Sequence, residues 1–266
     1  MNFDKIGIVG LGFVGNAVAE SYVSSFVEVV VVDPGKGYNN SYNDLKDCAG
    51  IFVCVPSPQG DDGSCDTSIL ESVLKELKEI GYIGAVISKV TAPPNVYAEL
   101  QKEYANLVHV PEFLTAANAV QDYATGKFCY IGGLVGAYRN EAERLIGLGQ
   151  KSLVQIIHCS IQEASLVKYT LNCFLATKVI FMNEVAKLAE ANDCDWWTMR
   201  SMLSVDPRIG PTHLQVPGPD GKFGFGGMCF PKDTSAMLKF AEVAGRQMNV
   251  LEAAVKKNTL LRLDND

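Results

Sequence analysis

From the N-terminus to Gly132 the chain alternates short apolar, β-branched runs with stretches of helical periodicity. Runs over Lys5–Val9, Val27–Val32, Gly50–Val55, Ala85–Lys89, Leu107–Val110 and Cys129–Gly132 predict strands, and their near-continuous apolar character predicts a sheet covered on both faces. Asn16–Ser24 and Ser68–Ile80 predict helices between them, which is the order of βαβ units and of a parallel sheet. The segment Gln59–Gly63 reads as a turn-rich loop, and Leu153–His158 predicts one more strand. After Ser160 the period changes to that of helices, with long segments over Ile161–Ala191 and Thr234–Leu263 and a shorter one over Trp196–Leu203. The shift predicts two domains, an α/β domain over 1–159 and an all-helical domain over 160–266. One Gly- and Pro-rich segment, Asp206–Asp233, interrupts the helical half. It is too long for a simple connection, and its glycines and aromatics predict an ordered, shaped loop.

Composition narrows the class. With 266 residues, 48% hydrophobic and 20% charged, the chain has the balance of a globular protein and excludes disordered or collagen-like architecture. A formal charge of −7 argues against a nucleic-acid or anionic-membrane surface, since phosphate needs a local excess of Lys and Arg. No apolar run reaches the roughly 20 residues of a membrane span. The opening MNFDKIGIVG lacks a basic segment followed by a hydrophobic one, so a cytoplasmic location is expected. Eight cysteines lie scattered at 48, 54, 65, 129, 159, 173, 194 and 229, with no C-x-x-C pair, and His109, His158 and His213 stand apart from one another. Reduced thiols and no metal follow as expectations, with every cysteine but Cys229 read as a small buried hydrophobe.

The first chemistry-bearing feature follows the first strand: Gly10-Leu-Gly12-Phe-Val-Gly15, then a helix, then a second strand ending at Asp33. This is the full context of a dinucleotide site. Gly10 permits the tight turn, Gly12 lets the backbone approach a pyrophosphate, and Gly15 allows close helix–strand packing, so phosphates meet free N–H groups at a positive helix end. Asp33 is placed to hold the ribose hydroxyls and to repel a 2′-phosphate, which favours NAD over NADP, while nearby Lys36 favours the opposite choice.

The second feature is Cys229 within Gly224-Phe-Gly226-Gly-Met-Cys229-Phe-Pro-Lys232-Asp233. Neighbouring cations, helix N-termini and free amides lower a thiol's pKa. The loop offers its glycines, Lys232 and a helix expected to begin near Asp233. These features alone suit a structural cysteine equally well.

GFGGMCFPKD strongly resembles the catalytic-cysteine motif of the nucleotide-sugar dehydrogenases, the UDP-glucose 6-dehydrogenase family. Other stretches resemble that family in the same order. GLGFVG, with Phe13 and Val14, is similar to its NAD turn, and Cys54–Pro58 (CVPSP) resembles its C-V-P-T-P segment, placing Val55, Pro56 and Ser57 beside the cofactor. Lys89–Pro94 (KVTAPP) is similar to K-S-T-V-P-P, which puts Thr91 on the threonine that helps position a water near the cofactor. Pro111–Leu114 (PEFL) puts Glu112 on an active-site glutamate, with Phe113 and Leu114 at the sugar. The helix carrying Lys168 and Asn172 resembles the one whose lysine and asparagine face the reacting sugar. Asp206–Gly210 resembles D-x-R-I-G, whose arginine, here Arg208, reaches the substrate of the neighbouring subunit. Gly226 joins the implied substrate contacts.

The resemblance implies a Rossmann-like domain, a helical dimerisation domain, NAD as cofactor and a homodimer. It also implies oxidation of the C6 alcohol of a nucleotide-sugar, UDP-glucose first among them, to the uronate in two hydride transfers. Lys168, Asn172 and Asp233 would handle the alcohol proton, Cys229 would hold the aldehyde as a thiohemiacetal and then a thioester, and Thr91 and Glu112 would direct the hydrolytic water. Independently of it, Lys168 and Asn172 lie four residues apart and so share a helix face. The plain alternatives are a solvated lysine at 168, which apolar Leu166, Val167, Leu171 and Phe174 are expected to crowd out, and helix-capping carboxylates at Glu112 and Asp233.

Three departures qualify the resemblance. The chain stops at Asp266, where the family continues into a third domain over the nucleotide, so weak substrate binding is expected. A second glutamate that the family often places four residues after the first is Ala116 here. The loop between Arg208 and Cys229 is longer, by Val216–Phe223. Two other functions fit part of the pattern: a single-step hydroxy-acid dehydrogenase, which has no use for Cys229, and a non-catalytic NAD-binding or assembly protein.

Overall fold

A computed structural model describes residues 4–23, 26–115, 118–150, 152 and 155–263. Ser24, Ala116, Leu153, Val154 and the terminal Asp264–Asp266, all part of the sequence expectations, lie outside the described residues. The chain packs as two compact units, Met1–Pro58 with Asp66–Lys168, and Gln59–Cys65 with Tyr169–Asp266.

The first unit is built on an eight-stranded sheet. Its strands are β1 (Asp4–Val9), β2 (Val27–Asp33), β3 (Tyr38–Asn39), β4 (Gly50–Val53), β5 (Ala85–Ser88), β6 (Leu107–His109), β7 (Phe128–Gly132) and β8 (Gln155–Cys159), in the order β3-β2-β1-β4-β5-β6-β7-β8. Helices α1 (Phe13–Tyr22), α2 (Ser68–Glu79), α3 (Pro94–Glu103), α4 (Ala119–Ala124) and α5 (Ala137–Gly149) connect them. Pairing is parallel from β2 through β6, and alternate residues of each strand feed two cores. Ile6, Ile8, Phe52, Ile87 and Val108 pack with α1 and α5 residues such as Val18, Tyr22 and Leu145. Val9, Ile51, Val53 and Val86 pack with Leu70, Val73, Leu74 and Leu77, the apolar stripe of α2 at helical spacing. Both faces of the sheet's centre, β1, β4, β5 and β6, are therefore covered, the reason these strands read as apolar runs, while the edge strand β8 is largely exposed.

The sheet is mostly parallel, as expected, with two reversals. β3 is antiparallel to β2, and β7 is antiparallel to β6, so β3 and the parallel pair β7–β8 run against the five strands between them. The connection between β6 and β7 spans residues 110–127 and carries the short helix α4.

The 30-residue helix α6 (Ile161–Glu190) supplies the last residues of the first unit and, from Tyr169, the first helix of the second. The second unit adds α7 (Trp196–Val205), α8 (Phe230–Val243) and α9 (Asn249–Leu263). Thr234–Leu263, expected as one helix, is two, because Gly245 takes a left-handed φ of 66° and ends α8. The Gly/Pro-rich segment before α8 is anchored rather than draped, since Leu214, Val216 and Phe225 are buried in the helical core. Among the cysteines read as buried, Cys194 is exposed and Cys159 half-buried. Cys194 follows the turn at residues 191–193 that ends α6 and is exposed there. Among the described residues no helix is long and apolar enough to cross a membrane.

One buried group makes the first unit sensitive to acid. His109, at the end of β6, is fully buried, stacked 4.1 Å from the Tyr97 ring, with Nδ1 3.1 Å from the Ser88 carbonyl. A carbonyl only accepts, so Nδ1 carries the hydrogen, and Nε2 has no partner among the described residues. Burial pushes its pKa down to about 3. The unfolded chain protonates this histidine near pH 6.5 and the folded protein does not, so stability is whole above that pH and falls as pH drops toward 3, by about 1.4 kcal/mol per pH unit. Urea unfolding between pH 7.5 and pH 5 should therefore lose about 2 kcal/mol through His109, and His109→Gln should flatten the slope by that amount. An unchanged slope in the variant would contradict the assignment.

Candidate active site

The dinucleotide turn sits where strand order reverses, between β1 and β4, at the carboxyl ends of the strands where open α/β sheets collect ligands. Gly10 has a left-handed φ of 88° and donates its N–H to the Val32 carbonyl at 3.0 Å. A Cβ at Gly15 would collide with the Gly10 carbonyl oxygen, so only glycine lets α1 approach β1 this closely. Gly12, the residue capping α1, is different: nothing lies within 4 Å of where its Cβ would stand. Open space at a helix N-terminus suits a pyrophosphate. Asp33 holds the turn through Oδ2, which accepts from the Leu11 N–H at 2.6 Å, and Lys36 donates to the Leu11 carbonyl at 2.6 Å. Asp33 thus ends β2 with one carboxylate oxygen committed to the turn. The Cys54–Pro58 segment leaves β4, and Ser57 donates to the Thr91 carbonyl at 2.7 Å, which ties Val55, Pro56 and Ser57 to the segment after β5.

The second grouping in the first unit is an ion pair. Lys168 and Glu112 have side chains only 5% and 8% exposed, with Nζ 3.0 Å from Oε1. Lys168 also donates to the Glu112 carbonyl at 2.6 Å, while Oε2 accepts from the Leu114 N–H at 2.8 Å, and the Phe113 ring lies 5.3 Å from Nζ. Glu112 caps no helix; its carboxylate is spent on Lys168 and on its own loop. Lys168 is not a surface lysine, though not for the reason expected: Leu166 and Phe174 are themselves exposed, and the ammonium is enclosed by the Glu112–Phe113 loop.

The second unit gathers Asn172, Asp233 and Lys232. The Asp233 carboxylate is buried, accepts from Asn172 Nδ2 at 2.5 Å and pairs with Lys232 Nζ at 2.5 Å. α8 begins at Phe230, ahead of the expected start, which leaves Cys229 as the residue capping the helix and Asp233 one turn inside it. The Asp233 N–H donates to the Cys229 carbonyl at 2.8 Å, so the two residues are locked in helical register. Asp233 is also the acidic residue of the first turn of α8, as its reading as an N-terminal helix residue expects. Cys229 stands at the positive end of α8, the setting that favours a thiolate. Arg208 joins neither grouping: its side chain is 87% exposed and folds back on Asp206.

Sequence reasoning missed the clamp on the glycine loop. Arg262 of α9 donates to the Phe225 and Gly224 carbonyls at 3.0 and 3.1 Å and pairs with Asp220 at 2.6 Å. Asn258, one turn earlier, accepts from the Phe225 N–H at 2.7 Å, and Asn183 of α6 accepts from the Gly224 N–H at 3.0 Å. A Cβ on Gly226 would stand 2.8 Å from the Arg262 guanidinium, which would have to shift to admit it. Beside the clamp lies a cavity of about 450 Å³ bounded by Gly226, Phe230, Arg200, His213 and Arg262. The only advance signal for the clamp was polar residues one turn apart on otherwise apolar helix faces.

Residues 36–146 match the NAD-binding domain, and residues 162–260 the central domain, of the UDP-glucose/GDP-mannose dehydrogenase family. The UDP-glucose 6-dehydrogenase of Pseudomonas aeruginosa is 31% identical over 228 residues, 80% of this chain and 49% of its own length. The UDP-glucose 6-dehydrogenase TuaD of Bacillus subtilis is 28% identical over 92% of this chain and 54% of its own length. The structure of a UDP-glucose dehydrogenase from Pyrobaculum islandicum superposes with a TM-score of 0.79 at 26% identity, over 97% of this chain and 68% of that one. The chain spans about half the length of the curated relatives it matches. It belongs to the UDP-glucose/GDP-mannose dehydrogenase family, and NAD is the cofactor of the nucleotide-binding domain it carries.

Proposed function

We propose that the protein oxidises the C6 alcohol of a nucleotide-sugar, UDP-glucose first among candidates, to the uronate with two NAD, through a covalent intermediate on Cys229. Residues 1–159 form the cofactor domain of this reading and 160–266 the helical domain bearing the thiol. The observation that carries it is Cys229 capping α8 one turn from a buried Asp233 that is bound to Asn172 and Lys232.

NAD, when bound at Gly10–Gly15 and Asp33, supplies the hydride acceptor for both oxidations; every other task falls to side chains. Lys168 and Asn172, one helical turn apart on α6, stabilise the alkoxide that develops as the alcohol loses its proton, with Asp233 as the buried carboxylate that orients Asn172. The aldehyde carbonyl is then attacked by the Cys229 thiolate: a C–S bond forms, the oxygen takes a proton, and the thiohemiacetal keeps the aldehyde bound. Oxidation of that carbon yields a thioester. Water, directed by Glu112 and Thr91, adds to the thioester carbonyl and the thiolate leaves as the carboxylate forms. Alcohol, two NAD⁺ and water thus become carboxylate, two NADH and three protons. Phe113, Leu114 and Gly226 line the sugar in this reading.

A homodimer is supported by α6 itself. Phe174, Phe181 and Leu188 recur every seven residues and are 63%, 59% and 64% exposed, an apolar stripe that a second copy of α6 would cover. Arg208, 87% exposed, would then reach the partner's substrate by exchanging its pairing with Asp206 for it.

Three outcomes follow. In a screen of UDP- and GDP-sugars, the protein should release NADH with acid product, and Cys229→Ala should lose acid formation by on the order of 10³-fold or more while retaining slow alcohol oxidation. Full acid formation by Cys229→Ala would return the protein to single-step chemistry, and NAD binding without turnover on any such sugar would make it non-catalytic. Asp33→Ala should weaken NAD about 10- to 100-fold by calorimetry and narrow its preference over NADP, since a hydrogen bond to a charged group is worth about 1.5–3 kcal/mol. Equal affinity for both cofactors in the unmodified protein would contradict the role given to Asp33. Phe181→Glu should convert the dimer to monomer in sedimentation equilibrium; an unmodified protein that sediments as an active monomer would refute the interface.

A further inference from the structure

The reaction above gives no task to Lys36, whose place in the sequence favours contact with a 2′-phosphate. In the structure its ammonium is engaged elsewhere: Nζ donates to the Leu11 carbonyl at 2.6 Å, and no other described group donates to that oxygen. The backbone that carries Lys36 is closed. Pro34–Lys36 form a single 3₁₀ turn, which Gly37 ends with a left-handed φ of 78° and an N–H that donates to the Pro34 carbonyl at 3.1 Å. β3 then returns along β2, with Tyr38 paired to Asp33. Lys36 thus projects from the tip of a fixed connection back to the turn that follows β1.

Leu11 is gripped by its side chain and by both of its backbone groups. The side chain is buried in the core shared with Val18 and Phe52, the N–H donates to Asp33 Oδ2 at 2.6 Å, and the carbonyl meets Lys36. The peptide between Leu11 and Gly12 is trans, and a trans peptide sets its C=O and N–H in opposite directions. A Leu11 carbonyl fixed on Lys36 therefore turns the Gly12 N–H away from Lys36. That N–H donates to no described group, and Gly12 is the residue capping α1. An amide oriented in advance and left open at a helix N-terminus is what a pyrophosphate requires. An ammonium spent on a carbonyl, beside the Asp33 carboxylate, is not left to read a 2′-phosphate.

We infer that Lys36 is a positioning residue of the cofactor site: through the Leu11 carbonyl it aims the Gly12 N–H at the pyrophosphate, and it serves NAD and NADP equally, leaving the choice between them to Asp33. This role rests on NAD binding and requires no oxidation of a sugar.

Calorimetric titration of the full chain with NAD and with NADP, no sugar present, tests this role. Lys36→Met keeps the apolar stem and removes the donors; it should weaken both cofactors about tenfold, the worth of one charge-assisted hydrogen bond, and leave their ratio within about threefold. Lys36→Arg, whose guanidinium still donates, should restore most of the affinity. In the cofactor-free protein the Gly12 amide resonance should move in Lys36→Met and return in Lys36→Arg, a change that lost stability alone would not produce. Loss of NADP affinity alone in Lys36→Met would make Lys36 a phosphate reader and overturn the assignment. Unchanged affinity for both cofactors, or a Lys36→Arg protein as weak as Lys36→Met, would overturn it as well. An unmodified protein that binds neither cofactor would contradict the dinucleotide site itself, and with it the task given to Lys36.

Discussion

An ammonium and a carboxylate taken out of water together are tolerable only while each has the other, and the contact between Lys168 and Glu112 places that demand on the first unit. Losing one partner of such a pair costs roughly 3–5 kcal/mol, because the remaining charge stays buried. Glu112 is held at the end of β6 by the preceding proline, and Lys168 by the first turns of α6. The pair therefore fixes the start of that helix against the carboxyl edge of the sheet. Other contacts serve the same register: Ser165 donates to the Ala92 carbonyl at 2.6 Å, next to Thr91, and a Cβ on Gly132 would clash with the Ala164 methyl at 2.5 Å. In the proposed reaction, a helix and a sheet edge so tightly registered would give the developing alkoxide a fixed cation.

The second unit faces the opposite problem. Its thiol lies beyond a glycine-rich loop, and glycine loses the most conformational freedom on ordering. Asn183, Asn258 and Arg262 offset that cost by binding successive backbone groups of Gly224 and Phe225, so the loop enters α8 in one conformation. Beyond it, the Asn172–Asp233–Lys232 group keeps a buried carboxylate satisfied one turn from Cys229. Both units thus solve the same difficulty, holding charged or mobile groups still, with bonds from helices to loop backbone.

The elements with strong periodicity were legible in advance: the apolar strands β1, β2, β4, β5 and β6, the stripe of α2, and α6, whose apolar residues continue for thirty positions. The two-residue β3 was not, being too short to show any period, and the reversal of β7 and β8 was not, because strand direction is set by the connection and not by the strand. The break between α8 and α9 was hidden in a stretch that reads helical on both sides of Gly245. At the candidate site, the dinucleotide turn could be read from glycines whose roles are local. The burial of Lys168 could be expected, but its partner loop could not be derived from spacing, since Glu112 lies 56 residues away. For Asn183, Asn258 and Arg262 only their spacing on apolar helix faces was legible; their partners are backbone groups, which leave no trace in residue identity.

The yield of NADH per sugar consumed, measured with limiting nucleotide-sugar and excess NAD in the presence of an aldehyde trap, tests the covalent four-electron reading most directly. A thiol that captures the aldehyde predicts two NADH per sugar, a uronate product and no trapped aldehyde. One NADH per sugar, with the aldehyde recovered on the trap, would contradict it.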